Sequence, residues 1–212
     1  MDERLTDLTV RHLIERLATS DPVPGGGSAA ALAGAMGAAL VHMVVELSTG
    51  RPAADAHEGA LAEIGAAATV AQSELLSLAE QDAVAYDAVV RARRLPRGSD
   101  PERQARDARL AAAVREATRV PLETARAAAG VFGLAELLAP IGNRNAVSDV
   151  GVAALLAATA LRGAALNVQI NLPSLAPDDA LRVDAARKLG SLLGSIDGRE
   201  RAVRVAVAER LR

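Results

Sequence analysis

The chain has no cysteine and no tryptophan, one phenylalanine (Phe132), one tyrosine (Tyr86) and a single lysine, Lys188. Without cysteine there is no disulfide, thiolate metal site or cysteine nucleophile. With so few aromatics the core has to be aliphatic, built from alanine, leucine and valine. Strand signals are missing as well: there are no alternating β-branched runs and no Asn-Gly hairpins. A net charge of −2 gives no electrostatic case for nucleic acid as a partner. Met1-Asp2-Glu3-Arg4 lacks the basic and apolar regions of a signal peptide, so a cytoplasmic location is expected. The 212 residues, half of them hydrophobic, suffice for one domain with a real core.

What is present is helical periodicity, and it predicts an all-α helical bundle. A first amphipathic helix is expected over about Asp7 to Ala18, with Val10, Leu13, Ile14 and Leu17 on one face. Then comes Pro24-Gly25-Gly26-Gly27-Ser28, where three glycines permit positive φ and close approach and Ser28 suits a helix N-cap. Backbone amides at a helix N-terminus suit an anion. A small-residue helix should follow to about Leu47. Its run from Ala29 to Val45 has only His42 as a strongly polar side chain. Because alanine and glycine supply most of that run, a buried helix fits better than a membrane span.

A long helix is expected from about Ala54 to Arg94, and another starts at Pro101, with Pro121 set to kink or split it. One more should run from about Ala146 to Val168. The organisation is then a helical domain over residues 1–175 and a C-terminal amphipathic helix over 176–212. That last helix packs on the same domain or on a dimer partner. Gly34, Gly37 and Ala38, facing Ala153, Ala154, Ala157 and Ala160, predict a closely packed central helix pair with the longer helices around it.

Several polar residues interrupt the core pattern. Asp82 lies in the stripe Leu75, Leu78, Asp82, Ala85, Val89, where an unpaired carboxylate is costly. It either has an arginine partner or lines a cleft. Asp87 is placed to pair with Arg91 at i+4. Asp149 opens the helix after Gly142-Asn143-Arg144-Asn145, where it suits the helix dipole. It shares an azimuth with Asn167, but at about 1.5 Å per residue the two are about 27 Å apart, too far for one small site in one subunit. Asn171 faces the same way as Asn167. His12 falls on a polar face, His57 near a helix start, and His42 reads as a satisfied, partly buried histidine. No spacing suggests a metal. The glycine loop follows a helix rather than a strand, which excludes a dinucleotide fingerprint.

Five segments in order, Pro24 to Gly34, Gln81 to Tyr86, Val120 to Glu123, Gly142 to Gly151 and Leu166 to Leu172, together resemble the cyclodeaminase/cyclohydrolase family of folate enzymes. The resemblance spans residues 8 to 175. It implies an all-helical dimer or higher homo-oligomer with the folate in a cleft near the subunit interface. It also implies acid/base chemistry on a one-carbon unit at N5 and N10 of tetrahydrofolate, with no metal and no cofactor beyond the substrate. Cyclodeamination is the leading expectation, methenyltetrahydrofolate cyclohydrolysis the second, and a non-catalytic folate-binding or interaction protein the third.

By the same resemblance Asp82 and Asp149 are the catalytic candidates. Gly25, Gly26, Gly27, Ser28, Arg51, Arg94, Glu123, Asn143, Asn145 and Asn167 are candidate substrate contacts. The chain departs from the family pattern after the second helix, where Gly50 to Asp55 keeps only Arg51 of a basic, tyrosine-containing segment. It departs again at Arg94, where the family carries lysine. An arginine holds an anion but hardly gives up its proton. Convergence of Asp82, Asp149 and the glycine loop on one cleft is the structural sign of an enzyme.

Overall fold

A computed structural model describes residues 4–51 and 56–212. Among the described residues seven α-helices run in order: α1 (Val10–Leu17), α2 (Gly26–Ser48), α3 (Glu58–Arg93), α4 (Asp100–Leu138), α5 (Val147–Asn171), α6 (Ala180–Gly194) and α7 (Ile196–Arg210). There is no strand among the described residues. Helices α2, α3, α4 and α5 form a four-helix bundle in which each packs on its sequence neighbour and α5 closes against α2. Helix α6 lies on α4 and α7 on α5.

The small residues act as expected. A Cβ at Gly34 would sit 3.1 Å from Leu75 and 3.3 Å from Ala160, and one at Gly37 would sit 3.0 Å from the Ala153 carbonyl oxygen. Helices α2 and α5 therefore approach almost backbone to backbone, and their inner faces are the centre of the core. Helix α4 opens on a capping box, in which the Ser99 amide donates to Glu102 at 2.8 Å and the Glu102 amide donates to Ser99. Asp87 and Arg91 pair at 2.8 Å.

Four expectations change. Ser28 is not the N-cap of α2: the helix begins at Gly26 with Gly25 as cap, and Ser28 lies buried in its first turn. Nor do the three glycines adopt positive φ; among the described residues only Gly50 does. Pro121 does not split α4, which runs unbroken past it, because the carbonyl it orphans finds another donor. The C-terminal segment is two helices rather than one, with the break at Ser195 rather than near Asp197-Gly198. The apolar side of α1 also stays open to solvent at Val10, Ile14 and Leu17. The expected helix start at Ala54 lies outside the described residues.

Candidate active site

At the N-terminal end of α2, Asp82 of α3 lies directly against the glycine loop. A Cβ on Gly27 would fall 2.1 Å from Asp82 Oδ1, so only a glycine there lets the carboxyl reach the first turn of α2. The Ser28 hydroxyl lies 3.0 Å from Asp82 Oδ2 and 3.0 Å from the Ala79 carbonyl oxygen. With one proton it donates to either but not to both. Burial pushes the Asp82 pKa above its ordinary value, and hydrogen bonds from the Ser28 side chain and main chain pull partly against that rise. Of the two alternatives for Asp82, the structure therefore supports the cleft: no arginine pairs with it among the described residues.

The cleft holds about 260 Å³ and is lined by Pro22, Val23, the three glycines, Asp82, Tyr86, Ala117, Asn167, Ile170 and Asn171. Asn167 donates its side-chain amide to the Gly163 carbonyl at 2.9 Å, which leaves its Oδ1 as an unpaired acceptor among the described residues. Asn171 donates to the Ala117 carbonyl at 2.7 Å and to the Asn167 carbonyl at 3.0 Å. The lining has one carboxyl, several amide groups, a half-exposed tyrosine ring and no cation.

Of the residues singled out in the sequence, the cleft gathers Gly25, Gly26, Gly27, Asp82 and Asn167, with buried Ser28 directly behind Asp82. It does not gather Asp149, which sits half-buried in the first turn of α5 with no side-chain partner among the described residues. Two of the three expected elements converge and the third stands at the far end of α5.

A second cleft, about 320 Å³, lies at that far end and collects Arg51, His57, Asn143, Arg144, Asn145 and Arg210, with no carboxylate in its lining. Asn143 is mainly a clamp there. Its amide donates to Ser48 Oγ at 2.7 Å, its side chain donates to the Leu47 carbonyl at 2.9 Å, and its Oδ1 accepts from the Asn145 amide at 3.0 Å. Glu123 belongs to neither cleft and pairs with Arg126 at 3.1 Å. Arg94 is the exposed C-cap of α3.

Sequence reasoning left out Tyr86 and Asn171 as site residues. Tyr86 had a usable signal, since it stands one helical turn beyond Asp82. Asn171 stands one turn beyond Asn167 in the same way.

The model of the formiminotransferase-cyclodeaminase family matches residues 9–190. The chain is similar to the methenyltetrahydrofolate cyclohydrolase of Methylorubrum extorquens, with 41% identity over 87% of this chain and 88% of that protein. It is 33% identical to the formimidoyltransferase-cyclodeaminase of Rattus norvegicus over 91% of this chain, but spans only 35% of that protein's length. Among solved structures it resembles the formiminotetrahydrofolate cyclodeaminase of Thermotoga maritima, with a TM-score of 0.85 and 27% identity, covering 98% of this chain and all of that one. With the family model matched over most of its length and a relative of similar size 41% identical to it, the chain belongs to the formiminotransferase-cyclodeaminase family.

Proposed function

We propose that the protein hydrolyses 5,10-methenyltetrahydrofolate to 10-formyltetrahydrofolate, with Asp82 as the general acid/base. The observation that carries this reading is Asp82 itself. It is a half-buried carboxyl with a raised pKa, seated on the bare backbone of Gly27 and backed by a hydroxyl that can turn toward it or away. A carboxyl poised in this way transfers protons in both directions.

Ionised Asp82 accepts a proton from water as the water oxygen adds to the methenyl carbon. Ser28 donates to the carboxylate in that state. The protonated carboxyl then donates to Ser28 Oγ, and Ser28 turns its own proton to the Ala79 carbonyl. As the bond from carbon to N5 breaks, Asp82 returns its proton to N5. The remaining hydroxyl proton leaves to solvent as the formyl carbonyl forms, so the reaction releases one proton in total. The side-chain oxygens of Asn167 and Asn171, whose amide groups already donate to main-chain carbonyls, are the groups we assign to the pterin edge.

Sequence alone put cyclodeamination first. The relative named as a cyclohydrolase, of similar length and 41% identical, favours hydrolysis, while the likeness to the Thermotoga enzyme keeps cyclodeamination as the second reading. In that reaction N10 attacks the formimino carbon and Asp82 protonates the departing ammonia. A paired assay separates them. Loss of the near-ultraviolet band of methenyltetrahydrofolate is the expected result. Gain of that band from formiminotetrahydrofolate with ammonia release, and no hydrolysis above background, would transfer the assignment to cyclodeamination. Tight folate binding with neither reaction would leave a binding protein.

A further inference from the structure

One side chain of the Asp82 cleft has no task in the proton transfers. Tyr86 lines the cleft, is 42% exposed, and makes no hydrogen bond through its hydroxyl among the described residues. It neither fills the core nor ties two helices together. The chain has only one other aromatic side chain, Phe132. That ring is fully buried and already carries a cation, the Arg199 guanidinium, 5.1 Å from its centroid. Tyr86 is the one aromatic face the protein offers to a ligand, and it stands in the same cleft as Asp82.

Helical geometry sets what that face touches. Tyr86 follows Asp82 by four residues on α3, so their Cβ atoms are about 5–6 Å apart on one side of the helix. Long side chains on a helix lean back over the preceding turn, which carries the ring toward the carboxyl. A group within hydrogen-bond reach of Asp82 is then held within about 6 Å of the ring, the range over which an aromatic face attracts a cation.

The rest of the lining favours positive charge as well. It contains one carboxyl and no basic side chain. Asn167 and Asn171 use their amide groups on main-chain carbonyls, which leaves their oxygens for a ligand. The positive end of α2 is the opposing feature, and the Asp82 carboxyl already sits on it, accepting from the main chain and side chain of Ser28. A cation entering here meets a carboxylate, two amide oxygens and a ring face. A neutral group of the same shape gains only hydrogen bonds.

Folate one-carbon units divide by charge. The methenyl bridge is an amidinium, its positive charge shared between N5 and N10, and a formimino group on N5 is an amidine that is protonated at neutral pH. A formyl group on either nitrogen is neutral. We infer that the Asp82 cleft selects the one-carbon unit by its positive charge, and that the Tyr86 ring, lying on the amidinium, determines this selectivity. The inference rests on the folate reading but on neither of its two reactions. In hydrolysis it favours turnover in one direction: addition of water turns the cation into a neutral formyl group, the ring loses its partner, and the product leaves. In cyclodeamination substrate and product are both cationic, and the ring holds each.

Tyr86→Leu and Tyr86→Phe, each confirmed as folded by circular dichroism, test this. Two constants are read for each protein. One is KM for whichever of 5,10-methenyl- or 5-formiminotetrahydrofolate the wild type turns over. The other is the inhibition constant of 5-formyltetrahydrofolate, a neutral one-carbon folate with the same pterin and tail. Tyr86→Leu keeps an apolar side chain without a ring, and should raise KM about 5- to 30-fold while changing the inhibition constant less than about 3-fold. Its kcat should not fall, because the lost contact is one made in the ground state. Tyr86→Phe keeps the ring and should stay within about 3-fold of wild type in both constants. A Phe variant as weak as the Leu variant would place the effect in the hydroxyl and overturn the role of the ring. Equal rises in both constants would mean that the ring stacks on the pterin without reading charge, and an unchanged KM in Tyr86→Leu would remove it from the site; either outcome overturns the inference. Should wild type turn over neither folate, the enzymatic reading fails by itself, and equilibrium dialysis of 5,10-methenyl- against 5-formyltetrahydrofolate still decides the selectivity. A preference for the cation that Tyr86→Leu abolishes sustains it; equal binding of the two, or none, overturns it.

Discussion

Asn171 donates a 2.7 Å hydrogen bond to the Ala117 carbonyl, the oxygen that Pro121, four residues on, leaves without its helical donor. Proline inside a helix removes one i to i−4 bond, and a side chain from α5 replaces it. The replacement ties α4 to α5 beside the cleft and fixes the side chain that lines its wall. A break written into one helix thus positions a residue on another.

This coupling is measurable. Asn171→Ala strands a carbonyl in a half-buried place and should cost about 1–3 kcal/mol in urea unfolding. Pro121→Ala returns the amide that Ala117 lacks. In that background the cost of Asn171→Ala should fall by about 1 kcal/mol or more, a coupling within the usual range for residues sharing a partner. Equal costs in both backgrounds would mean that the side chain is not serving the orphaned oxygen.

Adjacent glycines should respond differently to alanine. At Gly27 a methyl group would overlap the Asp82 carboxyl, whereas at Gly26 the nearest atom is the Asn167 amide nitrogen at 3.7 Å, an ordinary contact. Both substitutions favour helix by about 0.5–1 kcal/mol. Gly27→Ala should nevertheless lower kcat/KM by about 100-fold, as expected when general acid/base catalysis is lost. Gly26→Ala should stay within a few-fold of wild type in the same assay. Matching activities would dissociate the Asp82 position from catalysis.

Asp82 also fixes the sign of a pH dependence. Burial raises its pKa in the folded protein, so the folded state favours the protonated carboxyl. The stability this contributes is fully present below the unfolded value, about 3.9, and is lost as pH rises through the higher folded value. Asp82→Asn mimics the protonated form. It should raise Tm relative to wild type at neutral pH, with the difference vanishing in acid, while turnover is lost. In wild type, kcat/KM should fall on the acid side with a midpoint above the ordinary aspartate range. Ser28→Ala removes a hydrogen bond to the carboxylate and should move that midpoint higher still.

How much of this could be read from the chain differs by residue. The all-α class and the α2/α5 pair were legible because Gly34, Gly37 and the Ala153 to Ala160 run encode close approach directly. Asp82 stood out because a carboxyl in an apolar stripe needs a reason. Ser28 was misassigned because a serine before an apolar helix is the ordinary cap signature, and only tertiary contact with Ala79 and Asp82 draws it inward. The fate of Pro121 was hidden for the same reason: its compensation comes from Asn171, fifty residues away. Asp149 and Asn167 could be placed on one helix face, and the rise per residue already set them at opposite ends of it, which is why only Asn167 reaches the Asp82 cleft.

Asn143 gives a contrast between holding a loop and holding a ligand. It makes two hydrogen bonds that join the α4–α5 connection to the end of α2 and a third that closes the turn onto the Asn145 amide, whereas Asn145 contributes only its backbone amide. Asn143→Ala keeps its backbone bond to Ser48 and loses both side-chain bonds. At a net worth of about 0.5–1.5 kcal/mol each, the loss should lower unfolding free energy by about 1–3 kcal/mol. Asn145→Ala should leave stability nearly unchanged. Urea denaturation of both variants decides the matter: an Asn143→Ala protein as stable as wild type, with a raised KM, would move Asn143 from the loop to the ligand.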